Sequence, residues 1–143
     1  MRIIIVSLVV LAALVLAFYF GFIRPLETHR RVVERIDHVI YRNSKSPPRG
    51  LDENSWHNYY SAPHNALFNF FISPKYYPTP KLEIMAVHFE TTWPNGPKTT
   101  HDVLGMIDVM VAANPGIADY GPFQEVRRMI EEAESAPPTP GRQ

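Results

Sequence analysis

The most apolar stretch of the chain is its beginning. Residues 3–23 contain a single polar side chain, that of Ser7. A helix of this length covers about 31 Å, which matches the roughly 30 Å hydrocarbon core of a bilayer. A secretory signal peptide would have a shorter apolar run and small residues before its cleavage site, whereas bulky aromatics end this run. The pattern therefore predicts an uncleaved transmembrane anchor over residues 1–24.

Helical periodicity continues beyond the anchor. Its apolar positions are Val32, Val33, Ile36, Val39 and Ile40. They predict an amphipathic helix to about Arg42, restarting after Pro25, whose missing N–H falls in the first turn. Packing on the domain is the favoured arrangement for this helix; the alternatives are a stalk that extends the anchor and a helix that lies along the membrane surface. Residues 25–50 are thus a juxtamembrane helix and a Pro-rich connector.

The pattern of apolar residues and prolines over residues 51–134 predicts a small helical domain whose helices are short and separated by prolines. Asp52 or Asn54 is a suitable N-cap for its first helix, and Pro63 either divides this helix in two or kinks it. Residues 81–93 fit a helix better than a strand, with Thr79 as its N-cap. The apolar positions on one face of that helix are Leu82, Met85, Ala86, Phe89 and Trp93.

Two further helices complete the predicted domain. Thr99 and Asp102 resemble a capping box before an apolar helix, and Pro122 begins a last, amphipathic helix. Residues 135–143 predict a disordered Pro-rich tail. The fold class is therefore mainly α: one transmembrane helix followed by a small helical domain.

Charge is distributed unevenly, although the formal net charge is zero. Residues 24–49 contain seven Lys or Arg and three Asp or Glu, a net charge of +4; residues 50–143 contain six and eleven, a net charge of −5. A basic segment beside the anchor suits anionic lipid and favours a cytoplasmic domain. The acidic remainder argues against nucleic acid as a partner. The candidate lipid-interface residues are Arg24, Arg30, Arg31 and Arg35.

The chain has no cysteine, so disulfides, thiolate chemistry and Cys-ligated zinc are excluded. Histidine is the remaining metal-ligand type of interest, but no H-E-x-x-H spacing occurs. The predicted capping role at the start of a helix explains the presence of Asp102 beside His101 without any metal ion. We therefore predict no metal site and no cofactor; the weak candidates are His57, His64, His88, His101 and Asp102.

No motif indicates a specific reaction. There is no G-x-S-x-G sequence, no phosphate-binding glycine loop, and the acidic pair Glu131-Glu132 lies on the polar face of a helix. No small-molecule substrate is identified, and we expect the protein not to be an enzyme. The tail sequence 137–142 matches P-x-x-P-x-R, a pattern short enough to arise by chance.

Aromatic residues concentrate between Trp56 and Tyr77. In a domain this small they favour a role as core side chains; the alternatives are contact with a partner or with the membrane, and a small-molecule pocket. The candidates for partner contact are Trp56, Tyr59, Tyr60, Tyr76 and Tyr77.

The sequence thus predicts a non-enzymatic, single-pass membrane protein whose helical domain, on the cytoplasmic side, binds a protein partner or self-associates as an accessory subunit or scaffold. Two alternatives remain: a metal-dependent hydrolase that uses a His/Asp cluster, and a module that senses anionic lipid surfaces.

Overall fold

The structure, a computed structural model, describes the backbone of residues 2–136 and the side chains of residues 5–136. The described part of the chain contains helices and no strand, which confirms the predicted all-helical class. Its α-helices are α1 (Arg2–Phe18), α2 (Arg24–Tyr41), α3 (Glu53–Ala66), α4 (Thr79–Thr92), α5 (Thr100–Ala113) and α6 (Gly121–Ser135). Short π-helical segments cover Tyr19–Ile23 and Leu67–Phe71, and a 3₁₀ turn covers Pro115–Ile117.

α1 and α2 form one continuous helix, which does not restart at Pro25. The π-helical segment Tyr19–Ile23 joins them, and the N–H of Arg24 donates to the carbonyl of Tyr19. Pro25 offers no N–H to the preceding turn and its ring crowds the carbonyl there, so a wider turn accommodates it. From Ile5 to Tyr41 this helix has 37 residues and is long and apolar enough to cross a membrane.

The helices after the anchor run alternately away from it and back. α4 is parallel to α2, because His29 meets Thr79 near the anchor and Asn43 meets Pro97 at the far end. α3 runs back toward the anchor, since its Trp56 indole donates to the carbonyl of Asn43.

α5 and α6 continue this alternation. The indole of Trp93, after α4, donates to Asp102 at the start of α5, so α5 returns toward the anchor. α6 then runs outward: Arg127 pairs with Asp108 in the middle of α5, and Glu134 pairs with His101 at its start. Helices α2–α6 are thus an up-and-down bundle.

Every helix of this bundle contributes to one hydrophobic core. α2 buries Ile36 and Ile40 completely, and it packs most extensively against α4. The juxtamembrane helix is therefore an integral wall of the bundle as well as the extension of the anchor. The largest fully buried side chains from the other helical segments are Trp56, Phe71, Phe89 and Phe123.

The predicted caps are partly correct. Asp52 accepts hydrogen bonds from the N–H groups of Asn54 and Ser55, and Thr99 forms a capping box with Asp102. The helix predicted over residues 81–93 is confirmed as α4. Its predicted N-cap was wrong, because Pro78 occupies that position and the hydroxyl of Thr79 is bound to His29 instead.

The helices are short, as predicted, and Pro63 does not divide its helix in two. α3 runs through Pro63 as one helix and continues into the π-helical segment Leu67–Phe71. The turn after α4 packs closely on the end of α2: Gly96 has a φ of +75°, and a Cβ there would lie 3.0 Å from the carbonyl oxygen of Val39. α6 includes Ser135, the first residue of the predicted tail; residues 137–143, with the P-x-x-P-x-R pattern, lie outside the described residues.

Candidate functional site

The surface of α4 carries apolar side chains where water-exposed helices normally carry polar ones. Its buried face consists of Leu82, Met85, Ala86 and Phe89, as the sequence predicts. On the outer face, Ile84 is 71% exposed and Val87 is 48% exposed. A helix that is apolar on both faces is typical of an element covered on both sides. The outer face of α4 is therefore a candidate contact surface.

This face borders a groove of about 430 Å³ between α4 and α5. α5 supplies its other wall with small and branched apolar side chains, which leave room for an inserted group. Two basic or titratable side chains, Lys81 and His88, lie along α4 at its rim. Burial raises the pKa of Tyr77, whose ring lies at the end near the anchor. The groove is lined by Tyr77, Lys81, Ile84, Met85, His88, Val109, Ala112 and Ala113.

The groove is suited to binding rather than to chemistry. Its walls are overwhelmingly apolar, and its polar groups belong to three separate side chains that share no hydrogen bond given by the structure. Ile84 projects into solvent, so the groove is open along α4. Such a shape resembles the grooves that receive the apolar face of a helix.

The structure does not bring the four candidate histidines together. His57 bonds to the hydroxyl of Tyr60 at 3.0 Å, and His64 bonds to Asp37 at 2.7 Å. His88 stacks edge-on near Trp93, while His101 meets Glu134 at 3.1 Å. Among residues 5–136, whose side chains are described, no three His, Asp or Glu side chains form a metal-binding group. Asp102 is engaged in its capping box.

The candidate lipid-interface arginines have different partners. Arg24 lies 5.6 Å from the ring centroid of Phe20, at the end of the apolar segment. Arg30 pairs with Glu34 on the exposed side of α2. Arg31 is exposed, whereas Arg35 is bound across the α2–α4 interface.

The Arg35 guanidinium donates to both carboxylate oxygens of Glu90, at 2.9 and 2.7 Å, and also to Glu83. These hydrogen bonds hold the pKa of the Glu90 carboxyl below its usual range and raise that of Arg35. Arg35 therefore links two helices in this conformation, which leaves Arg24, Arg30 and Arg31 facing outward on the basic segment.

Four of the five candidate partner-contact aromatics lie in the core. Trp56 is fully buried, and Tyr59, Tyr60 and Tyr77 are nearly so, which confirms the interpretation of the cluster as core side chains. Burial raises the pKa of Tyr41, whose ring packs edge-on against Tyr60. Tyr76 differs from these, since it is 76% exposed.

Sequence reasoning missed two features. His29 is fully buried, yet its spacing to Val32, Val33 and Ile36 places it on the same helical stripe and could have revealed this. Ile84 and Val87 are apolar residues off the buried stripe of α4, which was also visible in the sequence. Periodic spacing identifies the inner face of a helix but gives no weight to apolar residues outside it.

The fold and the groove define a class: a five-helix bundle built onto a helix that is apolar enough to span a membrane. No family model, no curated protein and no solved structure matches the chain.

Proposed function

We propose that the chain is a non-enzymatic, single-pass membrane protein whose bundle binds an apolar helix of a partner membrane protein, as an accessory subunit or scaffold does. The observation that carries this proposal is the exposed apolar face of α4 beside the α4–α5 groove. Covering a side chain such as Ile84 contributes about 1.5–3 kcal/mol. The burial of both Ile84 and Val87 would therefore contribute a favourable free energy to binding of a partner at this surface.

The direction of the groove supports a partner that comes from the membrane. α4 is parallel to α2, and α2 continues the apolar anchor without a break. The groove therefore begins near the anchor, at Tyr77 and Ala113, and runs outward along the same axis. A second helix leaving the bilayer beside the anchor would enter it lengthwise, as α2 itself leaves α1.

We also propose that the bundle lies on the cytoplasmic side. Arg24, Arg30 and Arg31 follow the apolar segment 3–23 within eight residues, whereas Arg2 precedes it. The positive-inside rule places the more basic flank in the cytoplasm.

Site-specific crosslinking in native membranes tests the function. A photo-reactive amino acid is placed at position 84 of the full chain, and a matched probe is placed at Glu131, an exposed position of α6. We expect position 84 to crosslink to a membrane protein at a helix adjoining its span, identified by peptide mass spectrometry. Val87→Glu in the same chain should lower that yield about tenfold, because the partner would have to bury a carboxylate.

Two results would overturn the proposal. The first is equal crosslinking at positions 84 and 131, which indicates random collisions. The second is that the adducts at position 84 contain only two copies of this chain. That result would indicate self-association and not binding of another membrane protein. Circular dichroism of the Val87→Glu variant provides the folding control, and we expect an unchanged spectrum because Val87 is already half-exposed.

A further inference from the structure

The connection between α3 and α4 lies at the end of the bundle nearest the anchor. We call residues 72–78 the anchor-side loop. The carbonyl of Phe71, just before it, accepts a hydrogen bond from His29 Nε2 at 2.7 Å. The hydroxyl of Thr79, just after it, lies 2.9 Å from His29 Nδ1. Both ends of the loop are thus fastened to one residue of α2.

His29 sets the height of this loop above the apolar segment. It follows Ile23 by six residues, which corresponds to about 9 Å along the helix. Because α3 runs toward the anchor and α4 runs away from it, the loop between them lies on the anchor side of His29. A small cavity lined by Thr79, Phe20 and Arg24 also places the start of α4 against the end of the anchor. The polar layer of a bilayer is about 5–7 Å thick on each side, so the loop reaches it.

The composition of the loop suits that layer. Ile72 is 43% exposed and Tyr76 is 76% exposed. The ammonium group of Lys75 lies 5.6 Å from the centroid of the Tyr76 ring. The anchor ends with a similar pair, Arg24 over Phe20. Aromatic rings with one apolar and one polar side concentrate at membrane interfaces, where basic side chains meet lipid phosphates.

We infer that residues 72–76 of the anchor-side loop rest in the headgroup layer of the leaflet that the anchor enters, with Ile72 and Tyr76 directed toward the acyl chains and Lys75 toward anionic lipid phosphates. This inference rests on the proposed membrane anchoring. It gives the bundle a second attachment to the bilayer beside the anchor. Two attachments restrict tilting, and they keep the α4–α5 groove aligned with the anchor.

Spin labelling tests this contact, and the absence of native cysteine makes it direct. Tyr76→Cys and Ile84→Cys are labelled singly in the full chain and reconstituted without other proteins into vesicles containing anionic lipid. The two positions have similar exposure, 76% and 71%, but position 84 lies more than a helical turn farther from the anchor. Collision rates with oxygen, which concentrates in lipid, and with a water-soluble nickel complex are compared. A label at Ile72→Cys, with Tyr76 retained, provides a second measurement in the loop.

We expect the ratio of oxygen to nickel accessibility to be several-fold higher at positions 72 and 76 than at position 84. Replacing the anionic lipid by a zwitterionic one, or adding Lys75→Glu, should reduce this difference. Equal ratios at all three positions would overturn the inference. So would loop labels shielded from both reagents, because that pattern indicates protein contact.

A label at Leu14→Cys, in the middle of the apolar segment, separates this inference from the proposed anchoring. If position 14 is buried in lipid while position 76 is in water, the loop contact alone fails. If position 14 is accessible to the nickel complex, the anchoring itself fails.

Discussion

At the level of single residues, His29 is the polar or charged side chain that is fully buried among those described. A carbonyl oxygen can only accept, so Nε2 carries the proton donated to Phe71; in the neutral imidazole, Nδ1 then accepts from the Thr79 hydroxyl. These two bonds connect α2 to Phe71, at the end of the π-helical segment that follows α3, and to Thr79, at the beginning of α4. The histidine serves the fold by satisfying polar groups that the bundle would otherwise bury unpaired.

Replacing His29 with alanine should therefore be costly. His29→Ala leaves a buried carbonyl and a hydroxyl without their partner and opens a cavity, so we expect a loss of about 2–4 kcal/mol in the free energy of unfolding. Denaturant unfolding of the full chain in detergent, followed by circular dichroism, measures this. His88→Ala, at an exposed position, is the control and should change stability by less than about 0.5 kcal/mol. Equal effects of the two substitutions would contradict the structural role of His29.

The Glu90 carboxylate makes stability depend on pH. Arg35 lowers the pKa of Glu90 in the folded state from the ordinary value of 4.5. The carboxyl of Glu90 thus binds a proton more tightly in the unfolded chain than in the folded one. The stabilisation that the pair contributes at neutral pH is therefore lost as the pH falls from that value through the folded-state pKa. Both side chains are more than one-third exposed, so solvent screening limits the effect to about 0.5–1 kcal/mol.

Glu90→Gln should remove this part of the acid sensitivity. Urea unfolding at pH 7 and at pH 3 would show a smaller difference for the variant than for the parent chain. Glu34→Gln, which breaks the exposed pair with Arg30, is the matched control and should leave the difference nearly unchanged. An identical acid response of Glu90→Gln and the parent would refute the contribution of this pair.

At the scale of elements, α5 approaches the end of α4 closely at Gly105. A Cβ on Gly105 would lie 2.9 Å from Cζ2 of Trp93. The indole is buried, and its N–H is bound to Asp102 at 3.3 Å, so the ring cannot move away without losing that bond. The absence of a side chain at this position therefore permits the packing of the two helices that line the groove.

Gly105→Ala should accordingly destabilise the bundle by about 1–3 kcal/mol, although alanine favours an isolated helix over glycine by about 1 kcal/mol. Thermal unfolding compares it with Gly121→Ala, at the start of α6, where a Cβ meets nothing within 4 Å. The control substitution should be neutral or slightly stabilising. A stabilising Gly105→Ala would mean that the indole is free to move.

At the scale of the whole molecule, the continuity of α1 and α2 couples the bundle to the anchor. A flexible tether would let the domain rotate freely, whereas here the last turn of the apolar segment passes directly into a wall of the core. Any surface of the bundle thus has a defined height above the end of the anchor. This coupling is the basis for interpreting both the α4–α5 groove and the anchor-side loop in relation to a bilayer.

The proposed topology is tested on the full chain in cells. We expect the protein to stay in the membrane fraction after alkaline carbonate washing. His57→Cys, exposed on α3, should react with a membrane-impermeant maleimide only after the cells are permeabilised, because the proposed topology puts the bundle on the cytoplasmic side. Labelling of intact cells would reverse the orientation, and recovery in the soluble fraction would refute anchoring.

Features that depend on neighbours within a few residues could be predicted from the sequence. The apolar segment, the helical stripes of α2, α4, α5 and α6, and the caps at Asp52 and Thr99 follow from periodicity and from side chains that bond to nearby backbone. The folded arrangement was needed to show the continuation of the helix through Pro25, the burial of His29 and the hydrogen-bond partners of Thr79, Arg35 and the histidines. Those outcomes depend largely on partners that are distant in sequence, such as His29 with Thr79 or Arg35 with Glu90. Local spacing shows which side of a helix is apolar, but packing alone determines which apolar side chains, such as Ile84, remain uncovered.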